Sequence, residues 1–124
     1  MEFNKDLNAA SASPLILAVL QEQPSYGYSI IKQVAELSEG QLEWAEGMLY
    51  PVLHRLEKLG QIESFWQASE NGRKRKYYRI KEPGMEALQT HREQWKTMNS
   101  ILEQSWKNIR FPEDGSDPCV PVLS

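Results

Sequence analysis

Apolar residues recur at helical spacing in the first half of the chain. The Ser13-Pro14 pair is typical of a helix start, and the apolar run at 15–20 predicts a largely buried first helix. Before it, Phe3 and Leu7 indicate a short amphipathic arm over residues 3–12.

Two further helices are expected before the midpoint of the chain. An apolar stripe over 26–37 predicts the second helix, with Ser25 as its cap. Leucines at helical spacing over 46–59 predict the third, which Gly60 ends. Pro51 would cost about 3 kcal/mol inside a helix, so we expect the helix to begin near Gly47. Pro51 then lies near the end of the amides that have no partner within the helix.

After Gly60 the hydrophobic period changes from that of a helix to that of a strand. Ile62, Ser64 and Trp66 alternate on one side, and Tyr78 and Ile80 do so after a turn at 69–72. This pattern predicts a β-hairpin, with Trp66 as its apolar anchor.

A long last helix is predicted over residues 84–110. At 1.5 Å per residue it would be about 40 Å long, too long to pack entirely on so small a domain. Its apolar residues are spaced by seven, at Leu88, Trp95, Leu102 and Ile109, with Met98 and Trp106 nearby. Such a seam suits a second helix, so dimerisation is the simplest explanation.

Three helices, a hairpin and a long helix make a mainly α fold with a small β-hairpin, the order of a winged helix-turn-helix domain. We expect residues 1–82 to form the N-terminal arm and DNA-binding domain and 83–110 the dimerisation helix. Pro112 would end that helix, and residues 111–124, rich in proline and acidic side chains, are expected to be a disordered tail.

The composition fits one domain of a cytoplasmic protein. The chain has 124 residues, 40% of them hydrophobic, and no apolar run near the roughly 20 residues that span a bilayer. Its single cysteine, Cys119, cannot form an internal disulfide, and its two histidines lie on different predicted helices. With no glycine-rich phosphate loop or paired-carboxylate motif, we expect neither an enzyme nor a cofactor or metal site.

Charge is distributed unevenly along this acidic chain. Residues 50–79 hold seven basic and three acidic side chains, whereas the remainder holds seven basic and fourteen acidic ones. Charges farther than about 8 Å from a phosphate are largely screened at physiological salt, so the local patch decides binding. A local charge of +4 on a helix and hairpin favours contact with a nucleic-acid backbone.

Three motifs carry a resemblance to a known family. The runs YGYSIIK at 26–32, GMLYPVLHRLE at 47–57 and GRKRKYYR at 72–79 resemble, in order and spacing, the PadR family of bacterial transcriptional regulators. The resemblance covers about residues 14–108 and points to the short-chain branch. It implies a homodimeric winged-helix repressor whose last helix, helped by the N-terminal arm, makes the dimer.

Two positions depart from the family pattern. Members often carry an acid where Ser29 stands and Thr or Ser where Met48 stands. Methionine cannot hydrogen-bond a phosphate as a hydroxyl could, so this position either makes no DNA contact or prefers an apolar partner such as a thymine methyl.

Candidate DNA contacts lie on three elements. If the leucines of the third helix face the core, the opposite side carries Tyr50, Pro51, His54, Arg55 and Lys58. The second helix contributes Tyr28 and Lys32, and the hairpin contributes Arg73, Lys74, Arg75, Lys76 and Tyr77. The alternatives are a solvated helix face and a charged edge strand that prevents aggregation.

Trp95 is the effector candidate. A two-fold axis near the middle of the long helix would pair it with its mate, and Leu88, Met98 and Leu102 would complete an apolar surface for a flat aromatic or hydrophobic molecule. The segment also resembles multidrug-sensing members of the family, in which a tryptophan on this helix lines such a site. Ordinary dimer packing is the equal alternative.

The sequence therefore predicts a ligand-responsive, homodimeric repressor that binds an inverted-repeat operator in double-stranded DNA. The alternative is a winged-helix module that contacts protein and has no operator specificity.

Overall fold

The computed structural model describes residues 2–111, which form four helices and a three-stranded antiparallel sheet. In chain order the elements are α1 (Lys5–Glu22), β1 (Ser25–Tyr26), α2 (Gly27–Leu37), α3 (Glu46–Lys58), β2 (Ile62–Ala68), β3 (Lys74–Ile80) and α4 (Glu82–Trp106). The chain divides into two compact units, Met1–Arg92 and Glu93–Ser124. The predicted fold class, a mainly α winged-helix arrangement with a long last helix, is confirmed.

α1 is longer than the sequence pattern predicts. It begins after Asn4, whose side-chain oxygen accepts hydrogen bonds from the Asp6 and Leu7 N–H groups, and it runs through Pro14. The predicted cap at Ser13 is wrong, and the expected arm is the first part of this helix. Asn4 is the stronger cap because its carbonyl oxygen reaches two free amides at the true N-terminus.

Trp44 explains why the first turns of α1 are held to the body of the domain. This side chain, only 6% exposed, lies in the loop between α2 and α3, and its indole N–H donates to the Asn8 side chain at 3.0 Å. No sequence pattern predicts this contact, because Trp44 stands alone in a polar loop.

The core of the first unit lies between three helices and the base of the sheet. Its buried side chains include Ile16, Leu17 and Leu20 of α1, Ile30 and Val34 of α2, Leu49, Leu53 and Leu56 of α3, and Ile62 and Tyr78 of the sheet. Burial raises the pKa of the Tyr78 hydroxyl above 10.0, and the nearby Tyr50 and Glu57 raise it further. Tyr78 is therefore a neutral core residue.

β1 is the element that the sequence pattern missed. Ser25 and Tyr26 pair with Tyr78 and Tyr77 of β3, which makes β3 the central strand of the sheet. Ser25 does not cap α2 as expected, since its hydroxyl donates to the Gln23 carbonyl and accepts from Gln33. A strand of two residues is too short to show a period of two.

α3 matches its predicted bounds to within one residue, with its leucines buried as expected. The expected placement of Pro51 among the unpaired amides is wrong. Pro51 is the sixth residue of the helix, beyond the first turn, and it removes a hydrogen bond to the Gly47 carbonyl. Gly60 ends the helix as predicted: its φ of 76° is left-handed, and it lets the Gln61 N–H reach the Leu56 carbonyl at 2.9 Å.

The hairpin is present as predicted, with Ile62 opposite Ile80 at its base and Ala68 opposite Lys74 near its tip. The turn is closed by the Gly72 N–H on the Ser69 carbonyl, at 2.8 Å. The role predicted for Trp66 is wrong, because the side chain is 68% exposed and anchors nothing. Strands of seven residues are about 23 Å long, so their far ends extend past the small core.

α4 begins two residues earlier and ends four residues earlier than expected. Ile109, predicted as the last residue of the heptad seam, lies past the helix, where its N–H bonds the Trp106 carbonyl at 3.0 Å. The predicted tail lies outside the described residues, except for Phe111. Between residues 2 and 111, no helix is long and apolar enough to cross a membrane.

Candidate nucleic-acid interface

The face of α3 that points away from the core carries the residues expected there. Pro51, His54, Arg55 and Lys58 are exposed, whereas Tyr50 is half-buried. The Tyr50 and His54 rings lie one turn apart, with centroids at 6.5 Å. One helix face thus presents an imidazole and two cations to solvent.

Tyr50 connects α3 to the start of α2 through Gly27. A Cβ on Gly27 would overlap the hydroxyl end of Tyr50, so only glycine permits this approach. Gly27 is buried, and it is followed by the exposed Tyr28. Gly27 therefore permits the close packing of α2 against Tyr50 of α3.

The two faces of the hairpin carry different residues, because successive side chains of a strand point to opposite sides. Lys74 and Lys76 share the face of Tyr78, which is buried at its base. Arg75, Tyr77 and Arg79 lie on the other face. Of the two adjacent tyrosines, Tyr78 is the one in the core, at 1% exposed.

A cleft of about 290 Å³ brings together residues from all three predicted DNA-binding elements. Its lining includes Tyr28 of α2, Tyr50 of α3 and the hairpin residues Arg73, Lys74, Arg75 and Lys76. Trp66 lines the same cleft, although the sequence pattern assigned it elsewhere. Glu46 is the one carboxylate in this lining. The other side chains that line the cleft are mainly cationic or aromatic.

The outer face of the sheet is a ladder of aromatic rings and arginines. Tyr77 lies between Tyr26, at 5.3 Å, and Phe65, at 5.8 Å. The Arg75 guanidinium stacks over Tyr26 at 4.5 Å, and that of Arg79 stacks over Phe65 at 4.4 Å. Tyr77 and Arg75 therefore stiffen the hairpin.

Arg79 and Arg55 are both engaged within the protein. Arg79 forms an ion pair with Glu63 at 2.7 Å, so part of the positive patch counted along the sequence is neutralised locally. Arg55 donates to the Ser13 hydroxyl of α1 at 2.9 Å, which holds its guanidinium toward α1. None of Lys32, His54 and Lys58 lines the cleft.

The two positions that depart from the family pattern have structural roles. Met48 is half-buried and packs against the core. The Ser29 hydroxyl accepts a hydrogen bond from Gln33 at 2.9 Å. Neither side chain lines the cleft.

The residues predicted to bind an effector belong to different units of the chain. Leu88 belongs to the first unit and packs against its core. In the second unit Trp95, Met98 and Leu102 are exposed, and a shallow cavity of about 210 Å³ is lined by Gln94, Trp95 and Met98.

Comparison with known proteins agrees with this arrangement. Residues 16–90, more than half of the chain, match the model of the transcriptional regulator PadR-like family. An uncharacterised protein from Lysinibacillus sphaericus is 31% identical over 98 residues, which cover 79% of this chain and 90% of the relative.

Solved structures show the same fold. A transcriptional regulator from Clostridium thermocellum superposes with a TM-score of 0.76 at 29% identity, over 87% of this chain and 99% of that one. A PadR family transcription regulator from Clostridium difficile gives a TM-score of 0.66 at 30% identity, over 76% of this chain and 96% of that one.

Proposed function

Since the chain belongs to the PadR-like family and is therefore a DNA-binding regulator of transcription rather than an enzyme, we propose that it is a homodimeric, ligand-responsive repressor acting in the cytoplasm on an inverted-repeat operator. The observation that carries this proposal is the cationic cleft, where Tyr28, Tyr50 and the hairpin cations meet beside the exposed face of α3.

In the proposed complex α3 enters the major groove. His54 and Lys58 are exposed and can reach base edges and phosphates, while Pro51 offers an apolar contact. Arg55 would need to release Ser13 before it could make a bidentate contact with guanine. Tyr28 and Lys32 of α2 would contact the backbone that α2 crosses.

The hairpin supplies affinity more than sequence choice. Arg73, Lys74 and Lys76 are long cations close to the turn, where they can reach phosphates without being buried. Arg75 and Tyr77 contribute by holding the hairpin in place, because Arg75 stacks over the Tyr26 ring and Tyr77 meets the same ring edge to face.

Dimerisation is proposed through the second unit. Within residues 93–111, apolar side chains exposed on the helix include Trp95, Met98, Ile101, Leu102 and Trp106. An exposed apolar surface of this kind marks a protein interface in soluble proteins. A dimer would present two α3 helices to half-sites about 34 Å apart.

The effector would bind where Trp95 meets its mate. The exposed indole and Met98 give a flat apolar molecule a surface for stacking, and the ligand regulates only if it binds the DNA-bound and free forms differently. Titration of a planar cationic dye should quench tryptophan fluorescence in the native chain, with much weaker binding to Trp95→Ala. Equal dye affinity for both proteins would remove Trp95 from the site.

Charge reversal tests the DNA-binding surface against the alternative of a protein-binding module. The double substitution Lys74→Glu, Lys76→Glu should abolish retention of an inverted-repeat duplex in a mobility shift assay. The matched control Lys5→Glu, Lys107→Glu changes the net charge equally at exposed sites outside the cleft and should retain binding. Unchanged retention by both double variants would remove the cleft lysines from the DNA-binding surface, and failure of the native chain to prefer the inverted repeat over random duplex would favour the protein-binding alternative.

A further inference from the structure

Trp66 is a large apolar side chain on the cleft side of the hairpin, and it lies too far along the strand to reach the core. It shares its face of β2 with Ile62, which is buried at the base of the sheet. Trp66 itself stands four residues further along, where it is 68% exposed. The indole therefore contributes little to the fold and leaves an apolar surface that folding does not explain.

The surroundings of this indole are cationic. Trp66 lies directly opposite Lys76 in the hairpin register, and the next pair on the same face is Ala68 with Lys74. Lys74 is exposed, whereas Lys76 is half-buried, with its Nζ 5.7 Å from the centroid of the Tyr78 ring. Trp66, Lys74 and Lys76 therefore lie on one face of the hairpin, where a single binding partner can contact them.

Tyr28 and Tyr50 line the cleft together with Trp66, which places the indole on the side of the hairpin turned toward α2 and α3. A partner that contacts Tyr28 and Tyr50 in the cleft would therefore also reach the indole. Arg73, Lys74 and Lys76 border the same cleft, so a polyanion is the complementary partner.

We propose that Trp66 is a DNA-contact residue, whose indole packs on the deoxyribose sugars at the edge of the groove while Lys74 and Lys76 contact the adjoining phosphates. This inference rests on the proposed operator binding and extends it to a residue whose contribution is not ionic. A flat apolar ring can cover sugar carbons without reading the sequence, whereas lysines bind phosphate and release counterions.

The two kinds of contact can be separated by salt. Trp66→Ala should weaken binding to a duplex selected by the native chain from genomic DNA by about tenfold, as expected when one buried aromatic side chain is removed from an interface. The slope of log K against log salt concentration should stay unchanged. Lys76→Ala should make that slope shallower by about 0.9 for each phosphate that is no longer neutralised.

A matched control distinguishes an interface from a general effect of removing an exposed apolar side chain. Leu37, at the end of α2, is 66% exposed and does not line the cleft. Leu37→Ala should bind DNA as the native chain does. The unfolding temperature of Trp66→Ala should equal that of the native chain, since the Trp66 side chain is mostly exposed. Trp66→Phe should recover part of the DNA affinity that Trp66→Ala loses.

Fluorescence gives an independent readout in the native chain, where Trp66, 68% exposed, is the most exposed of the four indoles and the proposed dimer residues Trp95 and Trp106 stay in place. Bound duplex should protect the emission from acrylamide, and the protection should vanish when Trp66→Phe is added. Native affinity in Trp66→Ala, or no protection by DNA, would overturn the inference while leaving operator binding intact. Failure of the native chain to bind any duplex would overturn both.

Discussion

At the scale of single residues, contacts between helices decide how the binding face is presented. Tyr50 can lie against the start of α2 because position 27 has no side chain. The same packing leaves Tyr28 exposed at the cleft. A small buried residue thus positions two larger residues of the proposed interface.

Gly27→Ala should destabilise the protein by about 1–3 kcal/mol, because the new methyl group overlaps Tyr50 and forces it to move. Thermal unfolding measures the change in stability. Gly47→Ala is the matched control: no atom lies within 4 Å of its added Cβ, so the change should stabilise α3 by about 0.5–1 kcal/mol.

A double-mutant cycle isolates the contact itself. In a Tyr50→Ala background the Gly27→Ala change should be much less destabilising, because the overlapping ring is gone. An equal destabilisation in both backgrounds would contradict the role assigned to Gly27.

Residues could be predicted where their role follows from a local pattern. The apolar positions of α3 and the placement of Tyr78 follow from periodicities of 3.6 and 2, and the structure agrees. The two tryptophans of the first unit do not follow such a pattern: Trp44, in a polar loop, is buried, and Trp66, the expected anchor, is exposed. Their burial depends on how far the core extends in three dimensions, which no local pattern contains.

At the scale of elements, the two faces of the hairpin have separate roles. The outer face stacks arginines on aromatic rings, although Arg75 also reaches the cleft. On the inner face Lys74 is exposed near the tip and Lys76 lies over the Tyr78 ring. β3 is the central strand where it pairs with β1, so the alternative of a charged edge that prevents aggregation applies only to its part near the tip. The lining of one cleft by the lysines, Tyr28 and Tyr50 argues for the binding role in addition.

Lys74→Ala should reduce the salt dependence of DNA binding, whereas Arg79→Ala should leave it almost unchanged. Both substitutions remove one positive charge, but Arg79 is paired with Glu63 and stacked on Phe65. The expected change in slope for Lys74 is about 0.9 for each phosphate that is no longer neutralised. Fluorescence anisotropy between 50 and 200 mM salt measures both slopes, and equal slopes for the two variants would contradict the division of faces.

Element boundaries were less predictable than element types. The period of 3.6 identified the main helices, but α1 begins at Lys5 because the Asn4 cap and the Trp44 contact extend it far ahead of Pro14. The pairing that makes β1 a strand joins Ser25 to Tyr78 and Tyr26 to Tyr77, which are distant along the chain. Such pairing is a tertiary contact, and the sequence of Ser25 and Tyr26 alone cannot predict it.

At the scale of the whole molecule, the proposal needs two copies of the chain. A single α3 reads only one half-site, whereas a dimer reads two and doubles the charge that faces DNA. The exposed apolar side chains of residues 93–111 are the surface proposed to join the copies.

Leu102→Glu should convert the protein to a monomer near 14.3 kDa, because it places a carboxylate in the proposed apolar seam. Sedimentation equilibrium measures the mass. Ser100→Glu, on the opposite side of the same helix, should leave the dimer intact. Native chain that sediments as a monomer at micromolar concentration would contradict the proposed dimer.

Selection of genomic fragments by the native protein tests operator binding, the central claim, most directly. We expect the selected fragments to share an inverted repeat with half-site centres about 10 base pairs apart, or a multiple of one helical turn. We also expect affinity for them to fall about a thousandfold or more between 50 and 200 mM salt. Fragments without a shared repeat, bound no more tightly than random duplex, would contradict the claim.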